Sequence, residues 1–175
     1  MSQSDVATAT STPPKPLPSF GQLVADPRLF LALGLGSGLA PKAPGTFGTL
    51  AALPLAWLLL TYLPLWGFAV AILLAALVGV YLCGYAGRVM GVSDHGAIVW
   101  DEFVGLWIAL LWVPMTWPWW LYGFVLFRLF DIWKPWPIGW VDRRVKGGLG
   151  VMLDDVLAGL MALAVLQGTL WWWPW

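Results

Sequence analysis

Carboxylate side chains occur in three groups at the ends of long apolar segments. The sequence "DEFVG" opens one segment with Asp101 and Glu102, "FRLFD" closes another with Asp131, and "DDVLAG" opens a third with Asp154 and Asp155. Carboxylates crowded at low dielectric constant repel each other strongly, and a divalent cation removes that repulsion. Magnesium prefers oxygen ligands and keeps water and phosphate oxygens in its shell. The three groups therefore predict a magnesium site if the segments that carry them meet.

Glycines follow two of these carboxylates at helical spacing. Asp101 shares a helix face with Gly105, and Asp155 shares one with Gly159, because residues four apart on a helix are neighbours. A small residue beneath a carboxylate lets two helices approach closely. We therefore expect the helix ends that carry the carboxylates to come together at one depth.

Each carboxylate group also has a purely structural explanation. The helix dipole favours acidic residues at a helix N-terminus, which accounts for the pairs at 101–102 and 154–155 taken singly. Asp131 falls at a helix C-terminus, so its structural alternative is an ion pair with Arg128 or Lys134, three residues away on either side. The occurrence of all three groups on one side favours the metal site.

A second motif lies upstream, in the sequence "GLAPKAPGTFGTLAALP". Gly45, Thr46, Gly48 and Thr49 come at the start of an apolar helix, with Lys42 nearby. Exposed backbone N–H groups at a helix start bind phosphate well, although glycine and proline also mark ordinary helix starts. The P-loop pattern is absent. Together with the carboxylates and the basic residues, the motif indicates phosphate chemistry.

Other phosphatase chemistries fit the sequence poorly. A cysteine phosphatase needs five residues between Cys and Arg, whereas only four separate Cys83 from Arg88. The D-x-D-x-[TV] nucleophile motif is missing, and a histidine phosphatase needs more than the single His95. We interpret His95 as a loop residue or as a residue that assists the site from outside it, and Cys83 as a buried apolar side chain.

Composition indicates a membrane protein. The 175 residues are 60% hydrophobic and 10% charged, with 15 Trp, whereas a soluble domain carries about 25% charged residues. The net charge of zero argues against a nucleic-acid partner. Residues 1–28 are rich in Ser, Thr, Ala and Pro and are predicted to form a disordered tail, followed by a membrane domain at 29–175.

The apolar segments predict an all-α fold, a polytopic membrane bundle of about five membrane-associated helices with short re-entrant or interfacial segments. Proline-containing breaks near Pro64 and Pro114 separate them. The predicted spans are residues 48–63, 65–87, 98–113, 117–130 and 156–173. With five spans all charged connections fall on one side. Their basic residues place that side in the cytoplasm, and the Trp clusters mark the opposite interface.

Three segments together resemble the phosphatidylglycerophosphatase A family: "PKAPGTFGTLAALP", "DEFVGLWIAL" and "FRLFDIWKPWPIGWVDRRVKGGLGVMLDDVLAG". The resemblance covers residues 33–160. It implies a magnesium-dependent phosphatase in the bacterial cytoplasmic (inner) membrane, with its active site facing the cytoplasm. Such an enzyme removes the terminal phosphate of phosphatidylglycerophosphate and yields phosphatidylglycerol.

The resemblance also implies site residues. The pool of metal ligands is Asp101, Glu102, Asp131, Asp154 and Asp155. The residues expected to hold the phosphate are Lys42, Thr46, Arg128 and Lys134. The nucleophile is either a water activated at the metal or an aspartate, Asp131 or Asp154.

Two other functions are compatible with a small hydrophobic chain that carries acidic residues. A CDP-alcohol phosphotransferase also uses Asp-rich helices and a metal, but its D-G-x-x-A-R pattern is absent. A non-enzymatic membrane protein, such as a transporter or assembly factor, can carry intramembrane acids along an ion path. Here the acids gather at one interface, which favours the phosphatase.

Overall fold

The protein is all-helical over residues 16–173, the part of the chain that the computed structural model describes. A 3₁₀ segment, Gly34–Leu39, lies between the second and third helices. The helices are Phe20–Ala25 (α1), Pro27–Ala32 (α2), Pro44–Tyr62 (α3), Leu65–Met90 (α4), Trp100–Ala109 (α5), Trp117–Trp133 (α6), Ile138–Arg144 (α7) and Gly147–Trp172 (α8). The predicted all-α class is confirmed for these residues.

Among the described residues, three helices are long and apolar enough to cross a membrane, namely α3, α4 and α8. The prediction of about five spans is therefore not confirmed. Helix α6, with 17 residues, covers the fourth predicted span and extends beyond it, and α5, with ten, lies within the third. A ten-residue helix rises about 15 Å, half the hydrocarbon thickness of a bilayer. The apolar sequence after α5 instead forms the turn that leads into α6.

Helix α5 lies at the centre of the bundle. Every residue from Asp101 to Ala109 is buried. A Cβ on Gly159 of α8 would lie 2.3 Å from the carbonyl oxygen of Gly105, so the two backbones are in direct contact. The Trp107 indole N–H donates to the Ala52 carbonyl at 3.0 Å, which ties α5 to α3. The expected close approach at the two glycines is thus present.

Several helix termini lie together at one end of the bundle. Helices α3, α5 and α8 begin there, and α4 and α6 end there, since Gly84 near the end of α4 lies against Gly148 at the start of α8. Helix α4 ends at Gly91, whose φ of 75° is the left-handed conformation common after helices. We call this the charged end, because the acidic and basic residues of the helices and loops concentrate at it.

A polar clamp holds α2 against α4. The Tyr85 hydroxyl donates to Asp26 Oδ2 at 2.5 Å and accepts from Arg28 Nη2 at 2.9 Å. The Arg28 guanidinium also lies 4.1 Å from the centre of the Tyr85 ring. The tail boundary predicted at residue 28 falls inside α2, and α1 lies within the predicted tail. Residues 1–15 of that tail lie outside the described residues.

Candidate metal and phosphate site

Three buried carboxylates meet at the charged end. Asp101 and Glu102 come from the first turn of α5 and Asp155 from α8, and each offers an oxygen that lies within 4.8 Å of the other two. The residues are 8%, 9% and 3% exposed, respectively. They meet because the backbones of α5 and α8 touch one turn further on, at Gly105 and Gly159. We call these three residues the acid trio.

The acid trio has the chemistry of a cation site. Asp101 Oδ1, Glu102 Oε2 and Asp155 Oδ2 are buried and lack a hydrogen-bond partner among the described residues. An unsatisfied buried carboxylate oxygen is costly, and three together repel one another. A divalent cation such as Mg²⁺ would satisfy all three with the hard oxygen ligands that it prefers. The residues present therefore fit the metal that the sequence predicts.

Arg128 and Asp131 of α6 border the acid trio. Arg128 Nη1 lies 2.5 Å from Asp131 Oδ2 and 3.7 Å from Glu102 Oε1. The pair shares a helix face, as their spacing of three predicts. The Arg128 Nε is buried without a partner in the described part of the chain. One guanidinium among four carboxylates leaves an excess of negative charge when all are ionised, which again favours a bound cation.

Asp154 turns away from the acid trio. Its Oδ2 lies 2.6 Å from the ammonium group of Lys134, which also contacts Asp142 Oδ1 at 3.0 Å. Adjacent residues of a helix point about 100° apart, and here the offset directs Asp155 to the acid trio and Asp154 to Lys134. Burial lowers the pKa of Lys134, but the hydrogen bonds to Asp154 and Asp142 outweigh it and hold that pKa above its usual range. Lys134 therefore stays charged and bridges α6, α7 and α8.

The start of α3 packs directly on the site. A Cβ on Gly45 would lie 2.3 Å from Glu102 Oε1 and 3.1 Å from Arg128 Nη1, so only glycine leaves room here. The Thr49 hydroxyl donates to the Gly45 carbonyl at 2.8 Å, which makes Thr49 a structural residue. Thr46 is half-buried in the same first turn, and Lys42 lies just before it with an exposed side chain.

Two contacts at the site escaped the sequence analysis. The pairing of Asp142 with Lys134 was not expected, because the two residues lie eight positions apart, with Lys134 at the end of α6 and Asp142 in α7. The close contact of Gly45 with Glu102 and Arg128 could not be predicted, because the motif at the start of α3 does not indicate which residues pack against it. His95 behaves as interpreted from sequence, a loop residue whose Nδ1 accepts the Ala97 N–H at 3.2 Å. Cys83 is fully buried, with Sγ 3.8 Å from Met152 Sδ.

The fold and site together define a helical protein with three candidate membrane spans and a buried group of three carboxylates that could hold a metal ion, beside an arginine. Residues 30–170 match the family model described as phosphatidylglycerophosphatase A. The chain belongs to this family.

Curated relatives agree with that membership. A phosphatidylglycerophosphatase A of Escherichia coli strain K12 is 49% identical over 86% of this chain and 88% of its own length. A phosphatidylglycerophosphatase A of Haemophilus influenzae is 47% identical over 84% and 91%. A Bacteroides thetaiotaomicron protein, named provisionally as a phosphatidylinositol-3-phosphatase, is 38% identical over 82% and 93%. No solved structure matches this chain.

Proposed function

We propose that this protein is a magnesium-dependent lipid phosphatase that converts phosphatidylglycerophosphate to phosphatidylglycerol and inorganic phosphate. The observation that carries the proposal is the acid trio beside Arg128, at one end of a bundle with three apolar spans. A lipid phosphomonoester keeps its chains in the bilayer and its phosphate at the interface, the depth at which helix ends lie. The names of the Escherichia coli and Haemophilus influenzae relatives support the headgroup.

Asp101, Glu102 and Asp155 are the residues proposed to hold the magnesium ion. When bound, the ion supplies Lewis-acid stabilisation of the charge that develops on the phosphoryl oxygens. Asp131 is the nearest further carboxylate, and it orients Arg128 through their short ion pair. Asp154 acts through Lys134 by the contact already described and stands apart from the trio.

Arg128 is the residue proposed to bind the phosphoryl group. Its planar guanidinium can grip two phosphate oxygens at once, and its Nε has no partner among the described residues. The first turn of α3 with Thr46 lies on the same side, and Lys42 supplies a cation at its edge. Hydrolysis breaks the bond between phosphorus and the glycerol oxygen, joins the water oxygen to phosphorus, and leaves a proton on the glycerol oxygen.

Membrane orientation follows the basic residues. Arg88 lies in the last turn of α4, Arg143 and Arg144 lie in the last turn of α7, and Lys146 comes just before α8, all at the charged end. Because basic residues favour the cytoplasmic side, we propose that the site faces the cytoplasm of a bacterial inner membrane.

The test is phosphate release by purified protein in mixed micelles. Phosphatidylglycerophosphate and phosphatidylinositol 3-phosphate are compared, each with magnesium and with a chelator, for wild type and Asp155→Asn. We expect magnesium-dependent release from phosphatidylglycerophosphate, reduced at least a hundredfold in the variant because a metal ligand is lost. Preference for the inositol lipid would contradict the substrate, and full activity in chelator would contradict the metal.

A further inference from the structure

The segment from the last residue of α6 to the start of α8 has an exposed aromatic and basic surface that the proposed reaction does not use. Its exposed aromatic residues are Trp133, Trp136 and Trp140, at 69%, 81% and 45% exposure. Its exposed basic residues are Arg143, Arg144 and Lys146. We call these six residues the α7 surface. The aromatic rings and the positive charges of this surface lie side by side.

The α7 surface is an ordered part of the fold. Ile138 and Gly139 are buried against the bundle, so α7 is fixed on one side. The Arg144 guanidinium lies 5.0 Å from the centre of the Trp140 ring, one helical turn away. Lys146 Nζ donates to the Asp142 carbonyl at 2.8 Å, at the end of the helix. The surface therefore presents its rings and charges in a fixed arrangement.

The α7 surface is positively charged, and no carboxylate of its own segment neutralises that charge. Asp142 is the only acid between residues 135 and 147. Its side chain contacts Lys134, which lies on the bundle side of the helix and is also paired with Asp154. Arg143, Arg144 and Lys146 thus face outward with no carboxylate of α7 to neutralise them.

The position of the surface selects its partner. Helix α8 is a candidate span and begins at Gly147, directly after α7, so α7 lies where that span leaves the hydrocarbon. Tryptophan rings are at home at this interface, and basic residues beside it attract anionic headgroups. We propose that the α7 surface binds the anionic lipid surface of the membrane and concentrates anionic lipid beside the site. This inference rests on α8 crossing the bilayer and is independent of the proposed reaction.

The experiment measures lipid contact without turnover. Leu149, 48% exposed and three residues beyond Lys146, is replaced by cysteine and labelled with a small fluorophore; Cys83 is fully buried. The labelled full chain is placed in phosphatidylcholine vesicles containing either brominated phosphatidylserine or brominated phosphatidylcholine at the same mole fraction. We expect the anionic lipid to quench more, with local enrichment of about fivefold for roughly one effective basic residue. High salt should reduce the difference.

A glutamine double variant and a lysine control that keeps the charge decide the assignment. Arg143→Gln with Arg144→Gln should bring the two quenching values together, whereas Arg143→Lys with Arg144→Lys should keep the difference. Equal quenching in wild type, or a difference that survives the double glutamine variant, would overturn the proposal. Phosphatase activity plays no part in either outcome.

Discussion

Arg128 lies between Asp131 and the acid trio and is central to the candidate site. It contacts Asp131 on its own helix and Glu102 on α5, so it joins α6 to the acid trio. Its side chain is 14% exposed, and the Nε is left without a partner in the described residues. A guanidinium in this position supplies both a positive charge and hydrogen-bond donors in a fixed planar arrangement. Experiment can separate the effect of the charge from the effect of the donor geometry.

Arg128→Lys should keep the fold and lose most of the activity. The net charge is unchanged, but an ammonium group cannot grip two phosphate oxygens in one plane. We expect the initial rate of phosphate release from phosphatidylglycerophosphate to fall at least tenfold, about 1.4 kcal/mol of transition-state stabilisation. A rate within about threefold of wild type would mean that Arg128 serves only as a partner for the carboxylates.

Gly45→Ala should damage the site without touching a charged residue. The new methyl group would meet Glu102 Oε1 and Arg128 Nη1, and overpacking of this kind costs about 1–3 kcal/mol. We expect lower activity and a lower melting temperature. The matched control is Gly168→Ala in α8, where nothing lies within 4 Å of the added atom and alanine favours the helix. Equal behaviour of the two variants would contradict the close contact.

The residue types of the site could be predicted from sequence, but their division of work could not. The sequence marks Asp154 and Asp155 equally, because both open the same apolar segment. Only the rotation of α8 against α5 directs Asp155 to the acid trio and Asp154 to Lys134. That rotation is set by long-range packing, which the local spacing of acids does not contain.

At the scale of elements, contacts between small residues bring the helices of the site together, and polar contacts fix α2 against α4. The spacing of Gly105 and Gly159 from the acids predicts the crossing of α5 and α8, and the backbones do touch there. The clamp of Asp26, Arg28 and Tyr85 had no such signal. Fifty-seven residues separate Arg28 from Tyr85, so only the folded chain brings them together.

Asp26→Asn should loosen α2 and leave the acid trio intact. Hydrogen bonds from Arg28 and Tyr85 hold the pKa of Asp26 down to about 2. A depressed pKa contributes stability that is present above the unfolded value of 3.8 and is lost as pH falls through about 2. Amide protection in α2 should therefore be constant between pH 5 and 8 in wild type, and lower throughout in the variant. Hydrogen exchange measures it.

Asp94→Asn is the control for this experiment, because Asp94 is an exposed acid in the loop between α4 and α5. Its replacement should leave the protection of α2 unchanged. Protection in α2 that rises between pH 5 and 8 in wild type would show that the clamp titrates in that range, against the low pKa of Asp26.

At the scale of the whole molecule, the chain runs between two ends that differ in chemistry. Helices α3 and α4 form a pair whose turn lies far from the site, and the α5–α6 connection lies at the same far end beside the end of α8. Hydropathy predicts the helices well, but the count of about five spans is not confirmed, since α3, α4 and α8 are the described helices long and apolar enough to cross. The hydropathy of an apolar segment is the same whether lipid or protein surrounds that segment, and α5 is surrounded by protein.

Cysteine labelling should place the two ends on opposite sides of the membrane. Ser93→Cys lies in an exposed loop at the charged end, and Thr116→Cys lies at the start of α6 at the far end. With a reagent that cannot cross the bilayer, we expect Ser93→Cys to react from the cytoplasmic side and Thr116→Cys from the other side. Native Cys83 is fully buried and provides the unlabelled background. Labelling of both from one side would contradict the arrangement of spans.

The central burial of α5 has a consequence for how the protein is made. Asp101 and Glu102 are synthesised more than fifty residues before Asp155, so they enter the membrane before the partner that completes their site. The helix that carries them is too short to cross alone and has its whole length covered by neighbours. Its covering is finished only when α8 emerges from the ribosome. We expect a chain that stalls before that point to leave the α8 side of α5 uncovered, with Asp101 and Glu102 still lacking the carboxylate of Asp155.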